Sequence, residues 1–349
     1  MEKTKQNGLR EQKNGIKFYD TLNKPFKING LLKPYGQYDF FMRMPQEIAD
    51  KVNSGVKILG YDTSGGRVRF KTNSQYVAID AKMHDIQIGN NFPLSATAGF
   101  DLYEKNDGAE TYIGSFLPPL TVKDDGGYES IIEFDCIRER ELIINFPLFS
   151  GVNKLYVGID ENSSLTEAGE YAHPVPIVYY GSSITHGACA SRPGNTYERM
   201  ISRNFDCDFI NLGFNGSARA EKIMAEYIAS LEMSVFVYDY DHNAPDVEYL
   251  EKTHKPMYDI IRKAHPDIPI IMMSRPQIYE KYDRNRRFEV INQTYQQAKS
   301  NGENVYIIDG REVMKKCAWD SGTVDTVHPN DLGFYCIAET VGDILKNLI

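Results

Sequence analysis

Cysteine is scarce in this chain, with five residues scattered among 349. An odd number without paired spacing does not build a disulfide framework and indicates unpaired thiols in a reducing compartment. The opening stretch, MEKTKQNGLREQKNG, is polar and charged and lacks the apolar core of a signal peptide. We therefore expect a cytoplasmic protein, with export left open for a longer form. The cysteines are Cys136, Cys189, Cys207, Cys317 and Cys336.

Long apolar runs and long basic runs are also missing. No apolar stretch approaches the length that crosses a bilayer. The net charge of -9 argues against nucleic acid or an anionic membrane as the main partner. A chain of 349 residues that is 42% hydrophobic and 25% charged is ordinary for globular proteins and long enough for two domains. The sequence gives no indication of oligomeric state.

The first half of the chain has the pattern of a β-domain. Residues 67–83, 99–117 and 138–160 are rich in alternating β-branched and aromatic residues. Turn residues interrupt them, including Asn106-Asp107-Gly108 within the second stretch. Short strands with such punctuation predict an all-β sandwich or jelly roll, which we place at residues 1–165.

The second half, residues 175–349, alternates apolar strands with helical stretches. The polar residues 161–176 before it are interpreted as a linker. Strands joined by crossover helices predict a parallel sheet with helices on both faces, a three-layer α/β/α domain. The predicted strands are VPIVYY, DFINLG, SVFVYDY, IPIIMMS and NVYIID, and the predicted helices lie near 196–205, 219–231, 246–264, 284–299 and 333–348.

Four loops of this second half carry polar residues or glycine where strands end or just before the last helix. They are residues 181–183, 211–216, 239–243 and 325–330. In open parallel sheets, ligands bind beyond the carboxyl ends of the strands. We therefore expect these loops, far apart in sequence, to converge on one site.

The loop sequences GSSITHG, NLGFNG, DYDHN and DTVHPN resemble, in order and spacing, the four blocks of the SGNH (GDSL-like) hydrolase superfamily. The first block, extended to GSSITHGACASRPG, is similar to the branch that carries an N-terminal β-domain. The resemblance covers residues 175–349 and implies a flavodoxin-like catalytic domain. It implies a serine esterase with no metal and no cofactor.

By the same resemblance Ser183 is the nucleophile, and Asp325 and His328 are the acid and the base. The oxyanion donors are the Ser183 amide, Gly216 and Asn243. The chain has Ser182 where many members have an aspartate that is not part of the triad.

The residue types themselves fit this chemistry, independently of the resemblance. A serine hydroxyl needs a base to take its proton, and the base needs a carboxylate to orient it. Asp325 and His328 are three residues apart, so one loop can present both. Gly216 allows a backbone N–H to approach closely, and Asn243 offers a neutral amide donor. A G-x-S-x-G elbow is absent, which argues against the α/β-hydrolase version.

Each residue also has an ordinary structural interpretation. Ser183 alone would be a helix N-cap, and Gly216 and Asn243 would be turn residues. His186 and His242 are alternative bases, but neither has an aspartate presented as Asp325 is. We expect these two histidines to line the substrate pocket.

Arg192 and a metal site are the remaining alternatives. Arg192 is interpreted as a structural arginine, with contact to substrate as the lesser alternative. Five residues could be metal ligands, but their spacing matches no metal motif. They are Asp239, Asp241, His242, Asp325 and His328.

The sequence therefore predicts a serine esterase that acts on a short acyl group of a carbohydrate or small molecule. An acyltransferase with the same residues is the alternative within catalysis, because an acceptor alcohol would replace water. A non-catalytic carbohydrate-binding protein is the alternative from another class.

Overall fold

The structure is a computed structural model that describes residues 14–32, 40–276, 284–316 and 319–349. The charged N-terminal stretch before residue 14 and Cys317 lie outside the described residues. The other four cysteines are unpaired. Within the described ranges, the chain forms an antiparallel β-sandwich followed by an α/β domain.

Two antiparallel sheets make up the N-terminal domain, in the order β1-β9-β4-β7 and β10-β3-β8-β5-β6, with β2 paired to β3. The strands predicted in the three alternating stretches are confirmed. The strand bounds are β1 (Ile16–Asp20), β2 (Lys27–Asn29), β3 (Arg67–Thr72), β4 (Tyr76–His84), β5 (Phe100–Asn106), β6 (Ala109–Phe116), β7 (Gly127–Glu133), β8 (Arg140–Asn145), β9 (Gly151–Asp160) and β10 (Leu165–Thr166).

Alternation of side chains creates the sandwich core. Val77 and Ile79 of β4 share one apolar cluster with Leu142 and Ile144 of β8, from the opposite sheet. Residues two apart point to the same face of a strand, so the period in the sequence becomes a buried face. Strands β5 and β6 join at Asp107-Gly108, both with positive φ, as a tight hairpin turn requires.

Short helices in the N-terminal half were not predicted. They are α1 (Gln46–Val52), α2 (Ser54–Leu59), α3 (Leu94–Thr97) and α4 (Val122–Asp125). The Asn53 side chain accepts the Val56 N–H at 2.9 Å and so caps α2. Helices of one or two turns leave too little periodicity to be read from sequence.

Part of the predicted linker is ordered strand. Leu165 and Thr166 pair with Thr72 and Lys71 at the edge of the sandwich. The first strand of the α/β domain already begins at His173. Edge pairing needs only backbone groups, so a polar sequence gives no sign of it.

Five parallel strands form the sheet of the C-terminal domain, in the order β12-β11-β13-β14-β15. This is the flavodoxin-like order, and the reversal of strand order falls between β11 and β13. The predicted parallel sheet is confirmed. The strands are β11 (His173–Gly181), β12 (Cys207–Gly213), β13 (Val235–Asp239), β14 (Ile270–Met273) and β15 (Val305–Ile308).

Helices cover both faces of this sheet, as predicted. Ile177 and Tyr179 of β11 pack into one apolar cluster, and Val178 and Tyr180 pack into the cluster on the other face. Burial on both sides explains why β11 is a continuous apolar run. The helices are α5 (Ser183–His186), α6 (Tyr197–Phe205), α7 (Lys222–Ala229), α8 (Val247–Ala264), α9 (Arg284–Ser300), α10 (Gly310–Val313) and α11 (Asp331–Leu345). Across the described ranges, none of the helices is long and apolar enough for a membrane span.

Candidate active site

Strand β11 delivers two serines to the carboxyl edge of the parallel sheet. It ends at Gly181, and helix α5 begins at Ser183. Ser182 is the N-cap of α5, because its side chain accepts the Ile184 N–H at 3.2 Å. The capping role considered for Ser183 therefore belongs to its neighbour, which leaves the Ser183 hydroxyl to a different partner.

That partner is His328. Ser183 Oγ lies 3.0 Å from His328 Nε2, and His328 Nδ1 lies 2.7 Å from Asp325 Oδ2. The backbone N–H groups of Val327 and His328 donate to Asp325 Oδ1 at 3.2 and 2.8 Å. With a proton on Nδ1 held by the carboxylate, the Nε2 lone pair faces the serine hydroxyl.

Asp325 is held in its charged form. Its partial burial opposes ionisation, but the backbone N–H and imidazole of His328 and the Val327 N–H outweigh this effect. The pKa of Asp325 therefore lies below its ordinary value. The group next to the imidazole is an anion throughout the neutral range.

Two of the expected oxyanion donors, Gly216 and Asn243, lie on neighbouring loops. Gly216 follows β12 with φ of +68°, and a Cβ there would meet nothing within 4 Å. The left-handed backbone favours glycine at this position, and the approach of its N–H to an oxyanion stays a prediction. Within the protein a close approach occurs at Gly213, where a Cβ would lie 2.2 Å from the His186 backbone nitrogen.

Asn243 is tied to the Gly216 loop. Its Nδ2 donates to the Phe214 carbonyl at 3.0 Å, which joins the segment after β13 to the segment after β12. An amide nitrogen carries two hydrogens, so one remains for a ligand. The structure therefore groups Ser183, His328 and Asp325 by direct hydrogen bonds and links Asn243 to the Gly216 loop through Phe214.

Asp239 at the end of β13 supports the nucleophile turn. Its Oδ1 accepts the Thr185 hydroxyl at 2.6 Å and the Ser182 N–H at 3.3 Å. A Cβ at position 181 would lie 1.6 Å from this oxygen, so only Gly181 fits. Burial, reinforced by the nearby Asp241, raises the pKa of Asp239 to about 8, against the hydrogen bonds from Thr185 and Ser182. A carboxyl group from another strand thus supports the turn in a chain that has Ser182 in place of aspartate.

His186 does not line a pocket, contrary to expectation. It is fully buried, and its ring stacks on Phe149 of the sandwich domain with 4.0 Å between centroids. Nε2 lies 2.9 Å from the Leu148 carbonyl, and Nδ1 lies 3.3 Å from the Asn215 N–H. Burial, with the charge of Arg43, lowers the pKa of His186 well below its usual value. The neutral ring therefore donates to Leu148 and accepts from Asn215, which steadies the Gly216 loop.

His242 is close to the site, but in the part of the chain that the structure describes no carboxylate is oriented toward it as Asp325 is toward His328. Among the described residues its buried Nε2 has no hydrogen-bond partner. Burial, then the charges of Arg275, His328 and Arg287, lower the pKa of His242 well below its ordinary value. This geometry favours His328 over His242 as the base.

Arg192 is occupied by the sandwich domain. Its guanidinium donates to Asp101 at 2.9 Å and to the Tyr103 hydroxyl, and it lies 3.9 Å from the centre of the Tyr112 ring. The suggested contact with substrate does not fit these bonds. Arg192 is a structural arginine of the domain interface.

The three aspartates among the residues considered as metal ligands each contact a different side chain. Asp239 binds Thr185, Asp241 lies 3.5 Å from Arg275, and Asp325 binds His328. In the part of the chain that the structure describes, no three histidine, cysteine or acidic side chains are grouped as a metal site would require.

The sandwich domain supplies one wall of the site. Asn91 Nδ2 donates to Asp325 Oδ2 at 3.2 Å. The Phe92 ring meets the His328 ring edge-on at 6.4 Å and stacks on Phe149 at 4.8 Å. These side chains lie between strands of the N-terminal domain, and no sequence motif marks them.

Arg43 of the sandwich domain holds the end of β12. Its fully buried guanidinium donates to the carbonyls of Gly213 and Leu59, both at 2.6 Å, and of Asp62 at 2.9 Å. Its side chain also lies over the Phe214 ring at 4.7 Å. A lone arginine in an irregular segment gives no signal of this role in the sequence.

Two open depressions adjoin the candidate residues. One of about 850 Å³ is bordered by Asn215 and Ser217, on either side of Gly216, and by the exposed Ile58 and Ile88. Another of about 330 Å³ is bordered by Cys189, Asn330 and Leu332, near the His328 loop. The side chains of His328 and Asp325 are themselves 21% and 35% exposed, so solvent reaches this part of the site.

A serine, an imidazole and a carboxylate in hydrogen-bond contact at the edge of a flavodoxin-like sheet define the class of SGNH-type ester hydrolases. Residues 175–346 match the profile of the GDSL-like Lipase/Acylhydrolase family. A second profile, "N-terminus of Esterase_SGNH_hydro-type", matches residues 16–165. The recognised superfamily is confirmed, and the two matches leave only short segments uncovered.

Solved structures resemble the chain over about four fifths of its length or more. A protein from Bacteroides ovatus described as a GDSL-like lipase is 27% identical with a TM-score of 0.84, over 95% of this chain and 98% of that one. The salicylyl-acyltransferase of a tetracycline biosynthetic pathway is 19% identical with a TM-score of 0.79, over 96% and 98%. A family two carbohydrate esterase from Clostridium thermocellum, in complex with cellohexaose, is 14% identical with a TM-score of 0.58, over 81% and 92%. The latter two share the fold. Among curated proteins none matches.

Proposed function

We propose that the protein is a serine esterase that removes a short acyl group from a carbohydrate or small-molecule alcohol. The observation that carries the proposal is the hydrogen-bonded series Ser183, His328 and Asp325 at the carboxyl end of β11. One matched profile describes lipases and acylhydrolases and the other the N-terminus of an SGNH-type esterase, so this chemistry agrees with both.

In the first half-reaction Ser183 Oγ attacks the ester carbonyl carbon while His328 Nε2 takes its proton. The carbonyl oxygen becomes an oxyanion, which the N–H groups of Ser183 and Gly216 and the Asn243 amide stabilise. The bond to the alcohol oxygen then breaks, and this oxygen takes the proton from His328. The products are an acyl-enzyme and the free alcohol.

In the second half-reaction water replaces the alcohol. His328 takes a proton from the water as its oxygen attacks the acyl carbon, and the same donors hold the oxyanion. The bond to Ser183 breaks, the proton returns to its hydroxyl, and the acid leaves. Asp325 stays ionised throughout and stabilises the imidazolium.

Two observations support a carbohydrate or similar alcohol as the part of the substrate that leaves. The depressions beside Gly216 and His328 are open, so a bulky alcohol can stay largely in solvent. The larger one includes polar and charged side chains as well as isoleucines: Asp85, Gln87 and Lys123. A carbohydrate esterase with this fold has been captured with cellohexaose, which motivates testing sugar esters first.

Replacement of each serine tests the nucleophile. We expect Ser183→Ala to remove nearly all turnover of p-nitrophenyl acetate and all labelling by a fluorophosphonate probe. Ser182→Ala is the matched control: it removes the α5 cap, at a cost of about 1 kcal/mol in stability, and keeps measurable turnover. An active Ser183→Ala enzyme would refute the assignment.

An acyltransferase is the second candidate, because the salicylyl-acyltransferase has the same fold over nearly the whole chain. Adding a panel of acceptor alcohols to the esterase assay separates the two. Transfer products that exceed free acid in dilute acceptor would favour the transferase. Failure of the wild-type chain to react with any probe would instead favour a non-catalytic carbohydrate-binding protein.

A further inference from the structure

Asn91 contacts the candidate triad from outside the hydrolase domain. It lies in the segment between β4 and α3 of the sandwich, and its Nδ2 donates to Asp325 Oδ2 at 3.2 Å. The same oxygen accepts His328 Nδ1 at 2.7 Å. A side chain of the β-domain therefore shares a carboxylate oxygen with the imidazole that faces Ser183.

We propose that Asn91 is a positioning residue that fixes the Asp325 carboxylate against His328, so that the sandwich domain completes the catalytic group. The inference rests on the proposed esterase function. It concerns a residue that acts through Asp325 and does not touch the reacting atoms.

The donors to Asp325 show why an external anchor matters. Its oxygens accept four hydrogen bonds from described residues: two backbone N–H groups, the His328 ring and Asn91. The first three come from residues 327 and 328 and move together with the Asp325 loop. Asn91 alone among these donors belongs to another element. The Asp325 side chain is 35% exposed, so packing restrains it only in part.

The segment that carries Asn91 is itself fixed. Phe92 stacks on Phe149 and meets the His328 ring edge-on. A few residues later, Ser95 Oγ donates to the Ser191 carbonyl of the hydrolase domain at 2.7 Å. The Asn91 amide therefore sits on a segment held between the two domains, as a positioning group needs.

Asp325 is the charged partner of the His328 imidazole, because the nearby His242 and Cys189 are both neutral. His242, from the segment after β13, is neutral because burial and the charges of Arg275, His328 and Arg287 lower its pKa well below the usual value. Burial and the charge of Asp325 raise the pKa of the Cys189 thiol to about 12, so it is neutral too. A new carboxylate at position 91 would add a second negative charge beside His328.

The decisive experiment compares Asn91→Asp with Asn90→Asp through the pH profile of kcat/KM on p-nitrophenyl acetate. Both variants add one negative charge to the same segment, but Asn90 is exposed and makes no bond to Asp325. A carboxylate beside the imidazole stabilises its protonated form, so Asn91→Asp should move the acid limb up by about half a pH unit or more. Asn90→Asp should leave it within about 0.2 units.

A neutral variant tests positioning without charge. Asn91→Ala removes one hydrogen bond to an anion, so kcat should fall about three- to tenfold while KM stays within about twofold. Asn90→Ala should match the wild type. If Asn91→Asp behaves as Asn90→Asp does, or if Asn91→Ala keeps the full kcat, the inference is wrong.

A second measurement distinguishes a failure of this inference from a failure of the proposed esterase function. The imidazole titration of His328 can be followed by NMR in wild type, Asn91→Asp and Asn90→Asp, with His328→Gln to assign the signal. This NMR measurement does not require ester turnover. Asn91→Ala and Asn90→Ala are followed in the same way. A chain inactive on every ester, yet with the titration changed in Asn91→Asp and Asn91→Ala and not in the two Asn90 variants, would refute the esterase and keep the positioning role. An active chain in which Asn91→Asp causes no such shift would keep the esterase and refute the positioning role. Thermal unfolding of each variant checks that it is folded.

Discussion

At the scale of single residues, the oxyanion site depends on Asn243. Its amide bridges two loops through the Phe214 carbonyl and retains one hydrogen for the developing charge. We expect Asn243→Ala to lower kcat by about 100- to 1,000-fold with little change in KM, the usual cost of one oxyanion donor.

Asn215→Ala is the matched control for Asn243→Ala. Position 215 contributes its backbone N–H to His186, which alanine retains, so kcat should change little. A rise in KM with unchanged kcat in Asn243→Ala would instead make Asn243 a residue that binds the ground state.

The choice of base is also decided by single residues. His328 bridges Ser183 and an ionised carboxylate, whereas His242 is neutral and has no hydrogen-bond partner for Nε2 among the described residues. His328→Gln should abolish ester turnover, and His242→Gln should keep most of it. In the wild type, kcat/KM should fall at acidic pH as the imidazole gains a proton and can no longer accept one from serine. The opposite ranking of the two variants would show that the base is misassigned.

The residues of the candidate triad could be predicted from the sequence, but the residues that hold them in place could not. Ser183, Asp325 and His328 stand at strand or loop ends in an ordered series of motifs, so the sequence indicated that they would meet. Arg43 and Asn91 lie in irregular segments of the other domain. Their roles depend on which carbonyl or carboxylate the folded chain brings beside them, and no local pattern records that.

At the scale of elements, the periodicity of apolar residues predicted the strands and helices that are long and buried. Strand β11 reads as a continuous apolar run because its successive residues pack into two different clusters. Strand β10 and helix α2 escaped prediction because each is short. The first is held by backbone pairing at an edge and the second by the Asn53 cap.

The buried carboxyl group of Asp239, at the end of strand β13, should make the stability of the protein depend on pH. Burial raises the pKa of Asp239 to about 8, whereas the unfolded chain releases this proton near 3.8. The native state therefore holds the extra proton, so this stabilisation is full below about pH 4 and is lost as pH rises toward 8. Asp239→Asn keeps an oxygen for Thr185 and Ser182 and cannot ionise. It should remove a slope of at most about 1.4 kcal/mol per pH unit across that window.

Thermal unfolding of wild type and Asp239→Asn at pH 5 and pH 8 measures this difference. The variant should lose less stability than the wild type between the two pH values. Buried Asp62 and Glu198, whose pKa values burial also raises, leave part of the slope in both proteins. Parallel curves for the two proteins would mean that Asp239 is ionised in the folded chain.

At the scale of the whole molecule, arginines fasten the two domains together. Arg67 of the sandwich pairs with Asp208, and Arg199 of helix α6 pairs with Glu110 of β6. Arg199 also donates to Asn145 at 2.7 Å. These guanidinium groups are almost fully buried, and a buried charge is costly when its partner is removed.

This interface predicts the behaviour of the hydrolase domain by itself. Residues 175–349 retain Ser183, Asp325 and His328 but lose the Asn91 bond to Asp325 and the Phe149 ring under His186. They also leave Arg199 without Glu110 and Asn145. We therefore expect this fragment to be poorly soluble, or to fold with a much lower kcat/KM than the full chain on a small ester. Purified fragment and full chain are compared by thermal unfolding and by kcat/KM, and residues 1–174 added in trans should restore part of the activity. A soluble fragment with full activity would show instead that the sandwich is an independent module, and its own ligand would then become the question.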